Sequence, residues 1–559
     1  MKKVTALVLS LIMALSLALP ASAVLDADYN VPTILIRGDG TDIVNAEGEM
    51  IWPVAIGDEE GDTNEIVTSV AKVLLPHFPN GLLANQWDGY YEAFYQEMLK
   101  YFGDTRLDGN GEPLNGSKIA PAFENENKAN RTRDNKRNGR YDYMAYQYHY
   151  DFRLSPFDHM EELDSYIMDV MKTTGAKQVN LVGRCLGGGF LMCYLDYYVQ
   201  KVESGKCKPY IKNVMFDATV HNDCGPLTDS FSGHIALDSD ALQRFLHEYI
   251  DTDKTTVDGV LDTAAFLNDV ILTSYNLINE VGVVDLMLIE PIETLYAKLY
   301  AGLTPKLLEA LMGTWAGYWS AIDTKQFDEA LELVYGKEGS EKRTEYAGLV
   351  EKLIRYDEQI AQRQDEILDK CEEYGVHFGA IVKYGYQMYP FIESQNMIGD
   401  SMVTVESSSF GATTANVGKT LSDEYIAERT ELGFGAYISS DKQIDLSTAR
   451  FKDTTYVIKN LHHDNWTPDH SVINNFLWST NLTTDTDTVY SRFMVYNDET
   501  EKLEKMTEEN CNVSQWGGVE DKKESTLITK LMALFKWLKA IFKYLTNSFP
   551  GKEEVAPAA

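Results

Sequence analysis

Short apolar runs alternate with an amphipathic stretch over the first third of the chain. A β-branched run at residues 31–36 ends in the turn Arg37-Gly38-Asp39-Gly40, and a second apolar run lies at 178–182. Between them, aromatic and polar residues alternate from 143 to 152, and residues 156–174 have the spacing of an amphipathic helix. Because a strand, a helix and a strand in this order need a right-handed crossover, the pattern predicts a parallel sheet.

The pattern changes between residues 235 and 375, where helical periodicity continues almost throughout and no strand is predicted. Strands are predicted on either side of this block, at 211–216, 379–386, 402–406, 435–438 and 455–458. A helical block inside a sheet-forming sequence is typical of a cap inserted into one catalytic domain. We therefore predict an α/β fold, a mostly parallel sheet flanked by helices, with residues 24–234 and 376–515 as its core and residues 235–375 as an inserted helical cap or lid.

The amino terminus has the pattern of a signal peptide. Lys2 and Lys3 precede an apolar run at residues 4–19, and Ala21-Ser22-Ala23 has the small residues of a cleavage site. We therefore set residues 1–23 apart from the fold. We expect the mature protein to be exported, either secreted or associated with the extracellular cell surface.

The carboxyl-terminal segment, residues 516–559, predicts an amphipathic helix followed by a tail. At helical spacing, Lys536, Lys539 and Lys543 lie on one face of a helix over 526–545, and Phe, Trp and Leu occupy the remainder. Such a helix could lie peripherally in an anionic membrane interface. Docking onto the acidic surface of the protein itself is an equally good interpretation.

Composition narrows the classes of function. The chain has 559 residues with 50 Lys and Arg against 85 Asp and Glu, and 44% of its residues are hydrophobic. It is too apolar for a disordered chain, and its net charge of −35 argues against a nucleic-acid partner, which needs a basic surface. The six cysteines show no spacing typical of zinc binding, so we predict neither a metal nor a cofactor, and one or two disulfides could form.

The motif that carries chemistry is Gly183-Arg184-Cys185-Leu186-Gly187-Gly188-Gly189, between a predicted strand and a helix. Glycines two residues before and after Cys185 are what a nucleophile elbow needs, because its backbone is strained and larger side chains would clash. The helix N-terminus favours the thiolate, and Arg184 either adds to this effect or pairs with a carboxylate at the end of the sheet. The N–H of Leu186 points to where an acyl oxyanion would form, and the turn Gly38-Asp39-Gly40 would supply the other donor. An inert buried cysteine in a glycine-rich turn is the alternative interpretation.

A carboxylate and an imidazole follow late predicted strands. These are Asp441 and His463. If the strands lie beside the elbow, Asp441 would orient His463, which would deprotonate Cys185 and later protonate the leaving group. His462 is the substitute for the base, and Asp445 is the second candidate for the acid.

These motifs resemble the α/β-hydrolase superfamily. The segment Tyr150 to Pro156 is similar to the stretch before the elbow in lecithin:cholesterol acyltransferase-like lipases, with Phe152 in the place of their Trp. Gly313 to Trp319 is similar to a segment of their cap, and His463 to Trp466 is similar to the sequence around their catalytic histidine, which favours the second of the two adjacent histidines. These lipases carry a serine in the elbow, whereas the cysteine box of this chain resembles that of polyhydroxyalkanoate synthases and dienelactone hydrolases.

The resemblance implies a thiol-armed relative of these lipases. A Cys-His-Asp triad would form a thioester acyl-enzyme, from which water or another acceptor takes the acyl group. Leu, Tyr, Trp and Met throughout residues 260–320 favour a small lipophilic acyl substrate, although most of them pack the cap itself. The expected function is an exported acyl hydrolase or acyltransferase for lipid-like esters. The alternative is a non-catalytic lipid- or ligand-binding protein on a decayed hydrolase fold.

Overall fold

The computed structural model describes residues 28–53 apart from Asp39, 84–220, 222–236 and 289–511, together with scattered positions from 69 to 81 and from 238 to 244. Several predictions lie outside these residues. They are the signal peptide at 1–23, the oxyanion role of Asp39, the part of the predicted cap at 245–288, and the carboxyl-terminal helix at 526–545.

An eight-stranded sheet forms the centre of the described chain. The described strands are β1 (Thr33–Ile36), β2 (Ile43–Val44), β3 (Met50–Trp52), β4 (Lys118–Ile119), β5 (Tyr146–Tyr148), β6 (Val179–Arg184), β7 (Ile211–Asp217), β8 (His377–Tyr384), β9 (Thr413–Thr414), β10 (Ile444–Asp445), β11 (Thr455–Lys459), β12 (Phe493–Asn497) and β13 (Lys502–Lys505). The order in the central sheet is β13-β12-β11-β8-β7-β6-β1-β5. Every neighbouring pair is parallel except β12 and β13 at one edge. The predicted mostly parallel sheet is therefore confirmed.

Helices cover both faces of this sheet. The described helices are α1 (Asp88–Phe102), α2 (Pro121–Asn130), α3 (Met160–Thr174), α4 (Gly187–Glu203), α5 (Pro226–Ser232), α6 (Ile289–Ala310), α7 (Phe327–Tyr335), α8 (Glu341–Glu345), α9 (Ala347–Gln359), α10 (Gln364–Glu373), α11 (Val405–Ser408), α12 (Asp423–Glu431) and α13 (His470–Trp478). Successive residues of a strand point to opposite faces. Ile34 and Ile36 accordingly join the hydrophobic cluster that contains α3, α4 and α10, whereas Leu35 joins the one that contains α13.

Two of the predicted strands are wrong. Residues 402–406 contain the start of α11, because the Thr404 hydroxyl accepts a hydrogen bond from the N–H of Ser407 and caps a helical turn. Residues 435–438 form a short 3₁₀ helix over Gly435–Tyr437, whose Ala436 carbonyl accepts a hydrogen bond from Arg492. Short apolar runs of this kind have no periodicity that separates a strand from a turn.

The described part of residues 235–375 contains helices and no strand, as predicted. Trp319, Phe327 and Leu353 belong to a hydrophobic cluster of this block. Ile367 and Leu368 of α10, however, pack into the cluster shared with the sheet, and α10 leads directly into β8. The end of the block thus covers the sheet itself, and its interpretation as a cap stays a prediction.

The described residues also show the state of the cysteines and whether a helix could span a membrane. All six cysteines lie there and are free thiols, so neither of the disulfides that the sequence allowed is present. No helix in this part of the chain is both long enough and apolar enough for a membrane span.

Candidate active site

Cys185 occupies the turn between β6 and α4. Its φ of +52° lies in the left-handed region, which costs a residue other than glycine roughly 1–3 kcal/mol. Hydrogen bonds hold the turn in place. The Cys185 N–H donates to the Asp217 carbonyl (3.2 Å), and the Cys185 carbonyl accepts from the N–H groups of Gly188 (2.9 Å) and Val220 (3.0 Å). The cysteine therefore has the strained backbone that its motif predicts.

Glycines allow the start of α4 to lie close to the strands. A Cβ at Gly183 would lie 2.9 Å from Leu191 Cδ2 and 3.2 Å from Gly188 Cα. A Cβ at Gly187 would overlap the carbonyl oxygen of Ile36. A larger residue at either position would push the helix away from the sheet and displace the thiol with it.

His463 lies in the loop after β11, and its side chain is only 4% exposed. Its Nδ1 is 2.8 Å from Asp400 Oδ2, and its backbone N–H donates to the Asp400 carbonyl at 3.0 Å. Among the described residues, its buried Nε2 has no partner in good hydrogen-bond geometry, yet the Cys185 thiol is close enough to interact with the ring. Burial would lower the pKa of His463, but the charge of Asp400 and the interaction with Cys185 raise it well above its usual range. The imidazole thus stands between a carboxylate and the thiol.

Asp400 lies in the loop after β8, and its side chain is 1% exposed. Its Oδ1 accepts hydrogen bonds from the N–H groups of Met402 (3.1 Å) and Val403 (2.8 Å), while Oδ2 faces His463. Burial would raise the pKa of Asp400, but the charge of His463, the hydrogen bonds from His463 and Val403, and the charge of Lys383 hold it below its usual range. An ionised Asp400 keeps the imidazole proton on Nδ1, so that Nε2 faces the thiol.

Asp441, the predicted acid, does not contact His463. Its carboxylate accepts hydrogen bonds from Lys459 Nζ (2.8 Å), the Tyr384 hydroxyl (2.7 Å) and the Ser439 hydroxyl (2.6 Å). The expected pairing is therefore wrong, and the carboxylate at the imidazole comes from the loop after β8. The physical reason is that the strand predicted just before Asp441 is a helical turn outside the sheet, so it does not deliver this residue to the base.

The second candidates for acid and base also have other partners. Asp445 accepts hydrogen bonds from the Tyr425 hydroxyl (3.0 Å) and from Arg429 Nε (2.9 Å). Nε2 of His462 lies 3.0 Å from the Ser401 hydroxyl, and burial lowers the pKa of this histidine. Of the two adjacent histidines, the second is the one placed between a carboxylate and the thiol.

The N–H of Leu186 lies beside the thiol at the start of α4. Within the described part of the chain it has no hydrogen-bond acceptor, and Leu186 is buried. The absence of a side chain at Gly38 lets this turn approach closely, since a Cβ there would lie 3.2 Å from Leu186 N and 3.4 Å from Cys185 Sγ. An unused donor next to the nucleophile suits an acyl oxyanion. Asp39 lies outside the described residues, so the second donor expected from this turn stays a prediction.

Buried charges lie at the carboxyl ends of β6, β7 and β8. Arg184 donates from Nε to Asp217 Oδ2 at 2.6 Å, which is the second of the two roles expected for it. Lys383 is completely buried, and its Nζ lies 2.8 Å from Asp469 Oδ2. Burial and the charge of Asp217 raise the pKa of Asp469, while the two cations act in the opposite direction. The guanidinium is thus committed to a carboxylate of the sheet rather than to the thiol.

The two lipase-like segments pack against each other. The Gly317 N–H donates to the Arg153 carbonyl at 3.2 Å, and the rings of Phe152 and Trp315 meet edge to face at 5.5 Å. Arg153 is itself buried and binds both carboxylate oxygens of Asp151, at 2.9 and 2.7 Å. These two segments therefore form one packed unit.

One group of side chains among the described residues could hold a metal ion. Ligand atoms of Asp229, His234 and Glu393 lie within 4.8 Å of one another. His234 already pairs with Glu329 at 2.8 Å and with Glu393 at 3.4 Å, and both glutamates are exposed. An imidazole between carboxylates accounts for this arrangement, which gives no reason to assign a metal.

Asp400 is the site residue that sequence reasoning missed. It lies 63 residues before His463, next to a segment for which a strand was expected. A usable signal was present, because Gly399-Asp400-Ser401 is a polar turn after the strand predicted at 379–386. When the nucleophile of such a triad comes first in the chain, the acid follows it and precedes the histidine, and Asp400 satisfies this order.

The chain matches no protein-family model and no curated protein. The geometry of the site is therefore what supports a function.

Proposed function

We propose that the protein is a cysteine-dependent acyl hydrolase or acyltransferase that acts on lipid-like or other apolar acyl esters. One observation carries this proposal. The imidazole of His463 is held at Nδ1 by Asp400 and lies against the thiol of Cys185, which occupies a strained turn. Carboxylate, imidazole and nucleophile in this order are the parts needed for covalent acyl transfer. The proposed triad is Cys185, His463 and Asp400.

The steps follow from the movement of protons and electron pairs. Cys185 Sγ, whose proton has passed to Nε2 of His463, attacks the ester carbonyl carbon, and the carbonyl electron pair moves to the oxygen beside the Leu186 N–H. When this intermediate collapses, the ester C–O bond breaks and the imidazolium protonates the departing alkoxide. Water or an alcohol then attacks the thioester, and its proton passes through His463 to Sγ. The acid or a new ester leaves, and the thiol is restored.

The order of the strands supports an α/β-hydrolase fold for this chemistry. Cys185 follows β6, Asp400 follows β8 and His463 follows β11, so the nucleophile, acid and base occur in the chain order of that fold. All three lie beyond the carboxyl ends of parallel strands. The helical block between β7 and β8 is the proposed cap.

An apolar acyl group suits the surroundings of the thiol. Cys185 packs against the main hydrophobic cluster, to which Leu186, Val220 and Cys224 belong. Trp315 and Trp319 are buried inside the protein, so their presence in the chain is explained by packing. The proposed preference for apolar donors therefore rests on the cluster at the thiol.

Export and a peripheral membrane contact belong to the same proposal. The signal-peptide pattern at residues 1–23 supports the first, and the lysine-bearing helix expected over 526–545 supports the second. An enzyme for lipophilic esters gains access to its substrate when it is held at a membrane surface.

Intact mass spectrometry tests the proposal on purified protein incubated with p-nitrophenyl esters of increasing chain length. We expect an acyl adduct and p-nitrophenol release from the wild type, and neither from Cys185→Ala. Cys207→Ala removes the other partly exposed thiol, so this matched control keeps both properties. No adduct and no turnover on any ester would contradict the proposal and favour a non-catalytic ligand-binding protein.

A further inference from the structure

Trp466 packs against the imidazole of His463 and lies close to two buried cations. The two rings meet edge to face with centroids 5.0 Å apart. Lys383 Nζ is 3.7 Å from the centre of the indole ring, and the guanidinium carbon of Arg184 is 4.3 Å from it. A cation this close to an indole is attracted by the negative face of the ring. The ring beside the base thus contacts side chains from β6 and β8, the two strands on either side of β7.

Lys383 also binds the backbone of the loop that carries His463. Its Nζ donates to the Asn465 carbonyl at 3.1 Å and to the His463 carbonyl at 3.5 Å. The same ammonium forms an ion pair with Asp469 at 2.8 Å, although the two groups are not aligned for a hydrogen bond. One buried side chain of β8 therefore contacts this loop at three positions, the last of which is the residue before α13.

Arg184 connects this loop to the nucleophile. It precedes Cys185 in the chain, and its guanidinium, bound to Asp217, faces the ring of Trp466. The strand that ends at the thiol and the loop that presents the imidazole therefore meet at one indole ring. Movement of this ring would change the distance between base and nucleophile.

Stability alone gives little reason for such an arrangement. Removing an ammonium and a carboxylate from water costs several kcal/mol per ion, and apolar residues of similar volume often replace a buried ion pair at no loss of stability. Lys383 and Asp469 are both completely buried. In some proteins buried polar or ionic groups instead select one conformation over others.

We propose that Lys383 and Trp466 are positioning residues, which hold the imidazole of His463 within reach of the Cys185 thiol. This inference rests on the proposed function, since it concerns the base of that reaction. Neither residue touches the thiol, so both act through His463.

The double variant Lys383→Met/Asp469→Asn tests the inference, because it removes both charges without leaving one of them unpaired. The rate of Cys185 alkylation by iodoacetamide and the hydrolysis of p-nitrophenyl butyrate are measured, with urea unfolding to confirm the fold. We expect kcat and the alkylation rate to fall about 100-fold while KM changes less than about threefold, because a displacement near 1 Å costs that much in rate. Trp466→Phe should lower kcat and the alkylation rate about tenfold, since Phe binds cations less well than Trp.

The matched control is Lys459→Met/Asp441→Asn. The two groups of this pair also lie 2.8 Å apart, and Lys459 belongs to β11, which is adjacent to β8. The other hydrogen bonds of the pair go to Tyr384, Ser439 and Cys511 rather than to the base. We expect wild-type kcat and alkylation from it. Equal losses in the two double variants, or a wild-type rate in Lys383→Met/Asp469→Asn, would overturn the inference. A wild type that is alkylated rapidly but forms no acyl adduct would contradict the proposed function, while the alkylation rates would still decide the positioning role.

Discussion

Asp400 and Asp441 are both buried carboxylates near the carboxyl ends of β8 and β11, but they have different partners. The Asp400 side chain is 1% exposed and lies against His463, with two backbone N–H groups on its other oxygen. The Asp441 side chain is 4% exposed and binds Lys459 together with two hydroxyl groups. The burial of the side chain is thus nearly the same at the two positions.

The partner determines what each carboxylate can do. Lysine carries a fixed point charge, whereas imidazole gains and loses its proton near neutral pH. Asp441 connects Tyr384 at the end of β8 to Lys459 at the end of β11, which holds the two strand ends together. Asp400 instead orients a group that can exchange a proton with a thiol. Only the second arrangement is suited to acid–base chemistry.

The largest expected effect is on turnover. Asp400→Asn should lower kcat for p-nitrophenyl butyrate by about 10²–10⁴-fold, because the amide no longer stabilises the imidazolium or fixes its tautomer. Asp441→Asn should leave kcat per folded molecule within about threefold of wild type. Steady-state kinetics with the folded fraction determined by circular dichroism checks both values. Comparable losses in the two variants would contradict the distinction between the two carboxylates.

The next effect is on the free energy of unfolding, and here the larger loss is expected from Asp441→Asn. Asp441→Asn leaves the ammonium of Lys459, whose side chain is 12% exposed, without its carboxylate. We expect the free energy of unfolding to fall by about 3–5 kcal/mol, as is typical of removing one partner of a buried ion pair. Urea denaturation followed by tryptophan fluorescence measures it, and Lys459→Met added to Asp441→Asn should restore most of the loss. A loss that persists in the double variant would show that the hydroxyl partners, and not the lysine, account for it.

The parts of the site that depend on local chain geometry were predictable. The elbow needs only a strand, a helix and glycines within a few residues of Cys185, and all of these are visible in the sequence. β6, β7, β8 and β11 were predicted because each is a run of apolar residues longer than a turn. His463 was predictable for the same reason, since it follows β11 within four residues.

The position of the acid depends on a long and irregular loop. Asp400 follows β8 by a loop in which Phe391 and Ser401 have φ of +72° and +91°, and the helix capped by Thr404 begins just after it. Such a loop has no periodicity from which the position of a side chain can be predicted. Lys383 was missed because it is a charged residue in an apolar strand, and only its tertiary partners show that it is buried.

The smallest expected effect is the pH dependence of stability that comes from the Asp400–His463 pair. The pKa of His463 is raised, so the stability it contributes is complete below the unfolded pKa, about 6.5, and is lost as the pH rises through the folded value. The pKa of Asp400 is lowered, so its contribution is present above the unfolded pKa, about 4, and is lost as the pH falls through the folded value. The pair therefore stabilises the protein most between about pH 4.5 and 6.5. In a Cys185→Ala background, which removes the other group that raises the pKa of His463, Asp400→Asn should lose more free energy of unfolding at pH 6 than at pH 9.5, by about 1.4 kcal/mol for each unit of pKa shift removed. Urea denaturation at the two pH values gives the difference, and a loss independent of pH would mean that the imidazole is not protonated in the folded state.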